Sequence, residues 1–250
     1  MSTVLDNFDP TKHFFKDPYP HVIIENALPQ DLYDKLANEF PVEQIKEHQP
    51  ILEGHTHRYF AYDVLHLKKF PVSESWENFF REHTSQAYYD KIVDLFKVRT
   101  DKTNVKVEVR SVNKKAGGLV TDTQFVVHKP YEAGTTRTTH IDNPQELYAG
   151  LLYFRQDGDE SQGGDFEIFS VDTSPDVLKL KGREVKKDQQ KKLAKTIKYK
   201  ANTFVMFLNT DKSVHGVTPR TNAKMDRLSI NIIAETNSKQ DKIFRLHEHV

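Results

Sequence analysis

The chain has 250 residues, of which 36 are basic and 36 acidic, so it is formally neutral, and it contains no cysteine. That length can bury a sizeable core and is most simply one domain, and neutrality removes any whole-molecule field favouring nucleic acid or an anionic membrane. Without cysteine there are no disulfides, thiolate metal sites or thiol nucleophiles; MSTVLDNFDPTKHFF reaches charged residues too early for a signal peptide, and no window nears the ~18 apolar residues of a membrane span, so a cytoplasmic protein is expected.

From the N-terminus, DPYPHVIIENALP reads as a short strand from His21 to Ile24 between two turns. PQDLYDKLANEFP follows as a helix, with Leu32, Leu36 and Phe40 at helical spacing and Pro41 as the stop. A less regular stretch carrying His55, His57, Arg58 and Tyr59 leads to SESWENFFREHTSQAYYDKIVDLF, a helical region whose aromatic residues would cover a sheet face. Strands dominate thereafter. NVKVEVRSV alternates Val105, Val107 and Val109 on one face, and TDTQFVVHKPY, LYAGLLYFR, GDFEIFSV, NTFVMFLN and DRLSINIIAET continue the pattern. The expectation is a mainly β domain: helical support over about 1–100 and a rolled sheet over about 105–235. Between Asp172 and Lys200 a lysine-rich run reads as a solvated insertion with a short helix, or as a basic substrate-facing flap. Its lysines lack the interleaved aromatics that nucleic-acid binding would require.

His140 and Asp142, separated by one residue, would share a face if that segment is a strand, and His215 follows another apolar run that a rolled sheet can bring against them. Two imidazoles and a carboxylate leave one side of a metal open, which suits a non-haem iron centre; the same donors also suit zinc. Arg227 lies twelve residues after His215 in RLS, where Arg227 and Ser229 would share a strand face, and Arg220 sits in the turn HGVTPR. A guanidinium in either place can grip a carboxylate in a two-pronged, charge-assisted pair. The paired Gly163 and Gly164 in SQGGDFEIF lack the lysine and hydroxyl pattern of a phosphate loop.

HIDNP, LLYF, GGDFEIF, HGVTP and RLSI, in that order, resemble the prolyl-hydroxylase-like branch of the Fe(II)- and 2-oxoglutarate-dependent oxygenases, over a region running from PYPHVIIENALP through DRLSINII. The resemblance implies a double-stranded β-helix (jelly-roll, cupin-like) core with the N-terminal helices packed on it. It implies Fe(II) held by His140, Asp142 and His215, with open positions for 2-oxoglutarate and O2. It implies that Arg227 and Ser229, rather than Arg220, take the distal carboxylate, with Tyr153 and Tyr131 near the cosubstrate and Gly163 and Gly164 turning the chain sharply nearby. Thr139 and Asn143 either support the metal residues or make ordinary turn hydrogen bonds. The implied activity is hydroxylation of an unactivated C–H bond, with succinate and CO2 as coproducts; Asp142 speaks against the halogenating relatives, whereas desaturation or ring formation can follow the same hydrogen abstraction. The substrate is either a prolyl or other peptidyl residue or a free amino acid or other small metabolite. His55, His57, Arg58 and Tyr59 would line its site, or else form an exposed turn and a packed aromatic. A non-enzymatic metal- or ligand-binding module is the alternative of a different class, distinguished by whether substrate stimulates succinate formation.

Overall fold

The computed structural model describes residues 2–52, 55–98, 106–111, 118–130, 138–171, 185 and 191–236; Tyr131, Val105 and most of the lysine-rich run fall outside them. The N-terminal part comprises α1 (Pro10–His13), β1 (Phe14–Phe15), β2 (His21–Glu25), α2 (Gln30–Asn38), α3 (Val42–His48), β3 (Thr56–Phe60), a π-helical turn (Asp63–Leu67), α4 (Glu74–His83) and α5 (Gln86–Leu95). One helical region was expected from Ser73 onward, and the chain divides it in two. The Thr84 hydroxyl donates back to the Phe80 carbonyl at 2.8 Å, and the Ser85 hydroxyl accepts from the Tyr88 amide at 3.1 Å, ending one helix and capping the next. α4 buries Trp76, Phe79, Phe80 and His83, a stripe at i, i+3, i+4 and i+7. In α2 the buried face is Tyr33 and Leu36, while Leu32 is half-buried and Phe40 packs from beyond the helix end, so this face is rotated from the expected one.

The remaining strands are β4 (Glu108–Val109), β5 (Leu119–His128), β6 (Glu146–Tyr153), β7 (Phe166–Val171), β8 (Lys191–Ile197), β9 (Thr203–Leu208), β10 (His215–Val217) and β11 (Arg227–Thr236). A major sheet runs β1-β2-β9-β6-β11-β5-β3, with β4 parallel beside β5, and a minor sheet runs β10-β7-β8. His140 adds to the minor sheet by pairing with His215. The chain therefore passes from β5 in the major sheet to His140 in the minor, back to β6, over to β7 and β8, and then through β9, β10 and β11 in alternation. This is the connectivity of a double-stranded β-helix.

Two segments differ from expectation. The stretch around His57 is a strand, β3, paired with β5; its interior row is Thr56, Arg58 and Phe60, so it lacks the apolar alternation that marks most strands. Residues 191–197 form β8 rather than part of a helical insertion. β8 is an edge strand held by backbone pairing to β7, and only Ile197 is buried, so its outward lysines give no pattern to read.

Strand register sorts side chains into two layers. On the outer face of the major sheet, Phe125, Val127, Leu152, Phe204, Met206, Leu228, Ile230 and Ile232 pack against the helices. Trp76 anchors that layer, with ring centroids 4.6 Å from Phe125 and 5.4 Å from Phe154. On the inner face Ala149, Tyr153, Val205, Phe207 and Ile233 meet Phe166 and Ile168 of the minor sheet.

His83 ties the N-terminal segment to this layer. Its Nδ1 donates to the Phe79 carbonyl at 2.8 Å, and its Nε2 accepts from the Val4 amide at 3.2 Å, an arrangement only a neutral imidazole can make. Burial holds its pKa down at about 4. The unfolded chain takes up this proton near pH ~6.5 and the folded chain only near 4, so stability falls with acidification across that window and is unaffected by this group below it. Asp122, which burial pushes up to about 6, acts in the opposite sense, so the comparison must be with a variant. Between pH 7 and pH 5, urea denaturation should show wild type losing about 2 kcal/mol more than His83→Gln; parallel losses would refute the assignment.

Candidate metal centre

His140, Asp142 and His215 converge, with one potential ligand atom from each lying within 4.8 Å of the others, and all three residues are buried. The His140 and His215 Nε2 atoms stand 3.4 and 3.5 Å from the two Asp142 carboxylate oxygens. Reciprocal backbone bonds, His140 N to His215 O at 2.8 Å and His215 N to His140 O at 3.0 Å, hold the two histidines side by side. Regular strand pairing stops at His140, however. Asp142 lies in the loop before β6, so the pair does not share a strand face as expected; the loop itself turns the carboxylate toward the imidazoles. Asn143 shapes that turn: its side chain accepts from the Gln145 amide at 3.4 Å, and its carbonyl accepts from Glu146 N at 2.8 Å and Asn209 Nδ2 at 2.7 Å.

The second ring nitrogens fix the chemistry of the first. His140 Nδ1 lies 2.6 Å from the Thr138 carbonyl and His215 Nδ1 lies 2.8 Å from the Ser213 carbonyl. A carbonyl can only accept, so each Nδ1 carries the proton and each Nε2 presents its lone pair to the shared point. Two neutral imidazoles and one carboxylate, with no thiolate, form a donor set that fits divalent iron with open positions. Phe166 stacks on the His215 ring at 5.2 Å and Phe207 approaches it at 4.5 Å, closing that side to water. Tyr19, which the sequence reading did not single out, donates to the Val214 carbonyl at 3.2 Å; burial, then the Asp142 charge, pushes its phenol well up.

A second group assembles where β11 begins. Arg227 is fully buried, its Nε donates to the Gly164 carbonyl at 3.1 Å, and its Cζ lies 5.0 Å from the Tyr153 ring centre. The Arg227 Nη2 and the Ser229 hydroxyl, both buried, have no hydrogen-bond partner among the described residues. Ser229 stands directly opposite Tyr153 in the β11–β6 register. Burial raises the Tyr153 pKa, with the Arg227 charge partly offsetting it, so the phenol stays protonated. Gly163 and Gly164 adopt φ of +79° and +74°. A Cβ on Gly163 would run into the Pro219 carbonyl, and one on Gly164 would sit 3.3 Å from Arg227 Nε, so both positions require glycine.

Arg220 is differently placed. Its Nη2 reaches Asp159 Oδ2 at 3.3 Å, Ser161 Oγ at 2.9 Å and the Met225 carbonyl at 3.1 Å, so its hydrogen bonding is already committed. Of the four residues around β3, only Arg58 faces the interior, donating to Gln124 Oε1 at 3.4 Å. His57 points to the helical side and donates to the Gln49 carbonyl at 2.8 Å, Tyr59 stacks on Phe70 at 4.1 Å, and His55 is an exposed residue at φ +58°. Alternation along β3 makes this division unavoidable. Thr139 contributes its carbonyl to the Val185 amide at 2.9 Å and lies against Gly216.

Residues 123–234 match the sequence profile of the 2OG-Fe(II) oxygenase superfamily. No curated protein matches significantly. Among solved structures, a Pseudomonas putida prolyl-4-hydroxylase is 16% identical, covering 92% of this chain and 96% of its own, with a TM-score of 0.47. A prolyl 4-hydroxylase from Phytophthora capsici is also 16% identical, covering 87% of this chain and 59% of its own, with a TM-score of 0.49. IDO from Bacillus thuringiensis is 12% identical, covering 87% and 93%, with a TM-score of 0.48. No helix among the described residues is long and apolar enough to cross a membrane. The two-histidine, one-aspartate triad lies within the matched segment, so residues 123–234 are similar to the Fe(II)- and 2-oxoglutarate-dependent oxygenase superfamily in both profile and donor set.

Proposed function

We propose that the chain is an Fe(II)- and 2-oxoglutarate-dependent hydroxylase in which Arg227 anchors the cosubstrate. The observation that carries this reading is the pairing of an open triad with a buried guanidinium whose Nη2 has no partner among the described residues. His140, Asp142 and His215 would hold iron. When bound, iron supplies the dioxygen chemistry: 2-oxoglutarate is decarboxylated to succinate and CO2 while one oxygen atom enters a substrate C–H bond.

The protein orients the participants. The Thr138 and Ser213 carbonyls accept from the two Nδ1 atoms, which turns each Nε2 toward the shared point. Arg227 Nη2, the Ser229 hydroxyl and the protonated Tyr153 phenol supply convergent donors to one carboxylate. β10 links the two ends. His215 begins it, and three residues on the Thr218 carbonyl accepts from the Gly164 amide at 3.1 Å, next to the carbonyl that holds Arg227. At ~3.3 Å per residue that is about 10 Å, of the order needed for a five-carbon dicarboxylate reaching from metal to anchor. Arg58 and Asn231 line the interior rows beside and beyond Ser229, which we assign to the substrate side.

We further read the 250 residues as one cytoplasmic oxygenase unit acting on a prolyl or other peptidyl residue. The peptidyl part of that reading rests on the resemblance of the ordered motifs from PYPHVIIENALP to DRLSINII to the prolyl-hydroxylase-like branch. Hydroxylation of a free amino acid or small metabolite uses the same centre, and succinate release against panels of peptides and metabolites separates the two.

Anaerobic titration of the iron-loaded protein with 2-oxoglutarate should produce the visible metal-to-ligand charge-transfer band; its absence at verified iron loading would overturn the proposal. His215→Ala should weaken Mn(II) or Fe(II) binding by more than about a hundredfold, beyond what an outer-shell change produces, as read by calorimetry. The two arginines should separate cleanly. Arg227→Ala should weaken 2-oxoglutarate about thirtyfold or more with little change in metal affinity. Arg220→Ala removes one of two cations beside the buried Asp159, leaving Arg155 at 3.7 Å, and should cost about 1–3 kcal/mol of stability while the folded fraction keeps its cosubstrate affinity.

A further inference from the structure

Three guanidiniums surround one phenol ring. Arg227, Arg155 and Arg220 place Cζ 4.9, 5.7 and 6.0 Å from the ring centre of Tyr199, a buried residue between β8 and β9. Two of the three are committed elsewhere. Arg155 donates to the Tyr199, Asp159 and Ser161 carbonyls at 3.1, 2.8 and 2.6 Å, and Arg220 is held by Asp159 and Ser161. Arg227 alone of the three has no carboxylate partner among the described residues.

Tyr199 is itself fixed at three points. Its amide donates to Asp165 Oδ1 at 2.9 Å, its hydroxyl accepts from the Leu228 amide at 2.9 Å, and its ring meets Tyr153 edge-on at 5.3 Å. The hydroxyl thus grips the backbone immediately after Arg227, while the ring and Tyr153 flank the guanidinium and the Gly164 carbonyl holds its Nε. Burial pushes the Tyr199 phenol up to about 12, so it stays neutral and its ring face stays an attractive surface for a cation.

We infer that Tyr199 is the positioning residue for the carboxylate anchor: its ring holds the Arg227 guanidinium in the one orientation that leaves Nη2 free for an incoming carboxylate, and so sets the affinity for the distal carboxylate of the cosubstrate. The inference rests on the reading of Arg227 given above and adds a determinant that does not touch the cosubstrate itself. An unheld arginine would have to be ordered on each binding event, at a cost in affinity.

The test is calorimetry on the Mn(II)-loaded protein with two ligands, 2-oxoglutarate and 2-oxobutyrate, which keeps the keto acid but lacks the distal carboxylate. Tyr199→Leu should weaken 2-oxoglutarate about tenfold or more while leaving 2-oxobutyrate within about twofold, and Tyr199→Phe, which keeps the ring, should hold 2-oxoglutarate within about threefold. If Tyr199→Leu fails to fold, Tyr199→Met removes the ring with a more adaptable side chain. Equal weakening of both ligands would mark a general structural role and overturn the inference, as would unchanged 2-oxoglutarate affinity without the ring, or Tyr199→Phe behaving like Tyr199→Leu. Arg227→Ala is the control: if it leaves 2-oxoglutarate binding intact, the anchor assignment itself fails and this inference falls with it.

Discussion

Two backbone hydrogen bonds between His140 and His215 decide the geometry of everything that follows in this protein. They extend the minor sheet beyond β10 and place two imidazoles, 75 positions apart in the chain, with ring centres 4.2 Å apart. With each Nδ1 bonded to a carbonyl two residues earlier, the rings cannot rotate without losing a buried hydrogen bond. Only Asp142 then has to be supplied, and a turn shaped by Asn143 and Asn209 does so. The convergence of the three residues is a consequence of these local constraints.

The interior also has a charge problem, and its solution distinguishes two arginines that look alike in sequence. Arg155, Arg220 and Arg227 crowd around Tyr199, with Asp159 within 3.7 Å of Arg155 and 3.3 Å of Arg220. Asp159 thereby offsets two cations and leaves the third to a carbonyl and two aromatic faces. Desolvating a guanidinium in this way is costly, and a binding site that then supplies the missing carboxylate recovers much of that cost. Gly164 must lack a side chain because, at φ +74°, a Cβ would press to 3.0 Å from Arg220 Cγ and 3.3 Å from Arg227 Nε, beside the carbonyl that orients Arg227.

Support for this interior comes from the opposite face of the same strands. Leu228 and Ile230 alternate with Arg227 and Ser229, facing Trp76 and the other aromatics of the helical layer while their neighbours face the site. A shift of one residue in β11 would exchange the two sets, so the large apolar layer also enforces the register on which the site depends.

The three candidate ligands His140, Asp142 and His215 were picked out by residue type, and the structure brings them together, although through a loop rather than the strand face expected for His140 and Asp142; period-two alternation puts Arg227 and Ser229 on one face, while their cosubstrate role was implied by the resemblance alone. Strands with long runs of apolar, aromatic and β-branched residues, such as β6 and β11, were equally readable, because both of their faces are buried. β3 and β8 carried no such run. The interior row of β3 mixes Thr56 and Arg58 with Phe60, and β8 is an edge held by its backbone. Tyr199 carried no local signal at all, since its role depends on three arginines that arrive from separate segments. The sequence by itself thus determined the chemistry available, two imidazoles, a carboxylate and candidate guanidiniums on alternating strands. Only the tertiary structure decided which arginine is left without a carboxylate among the described residues, because ion pairing depends on distances between segments remote in the chain, which no spacing along it records.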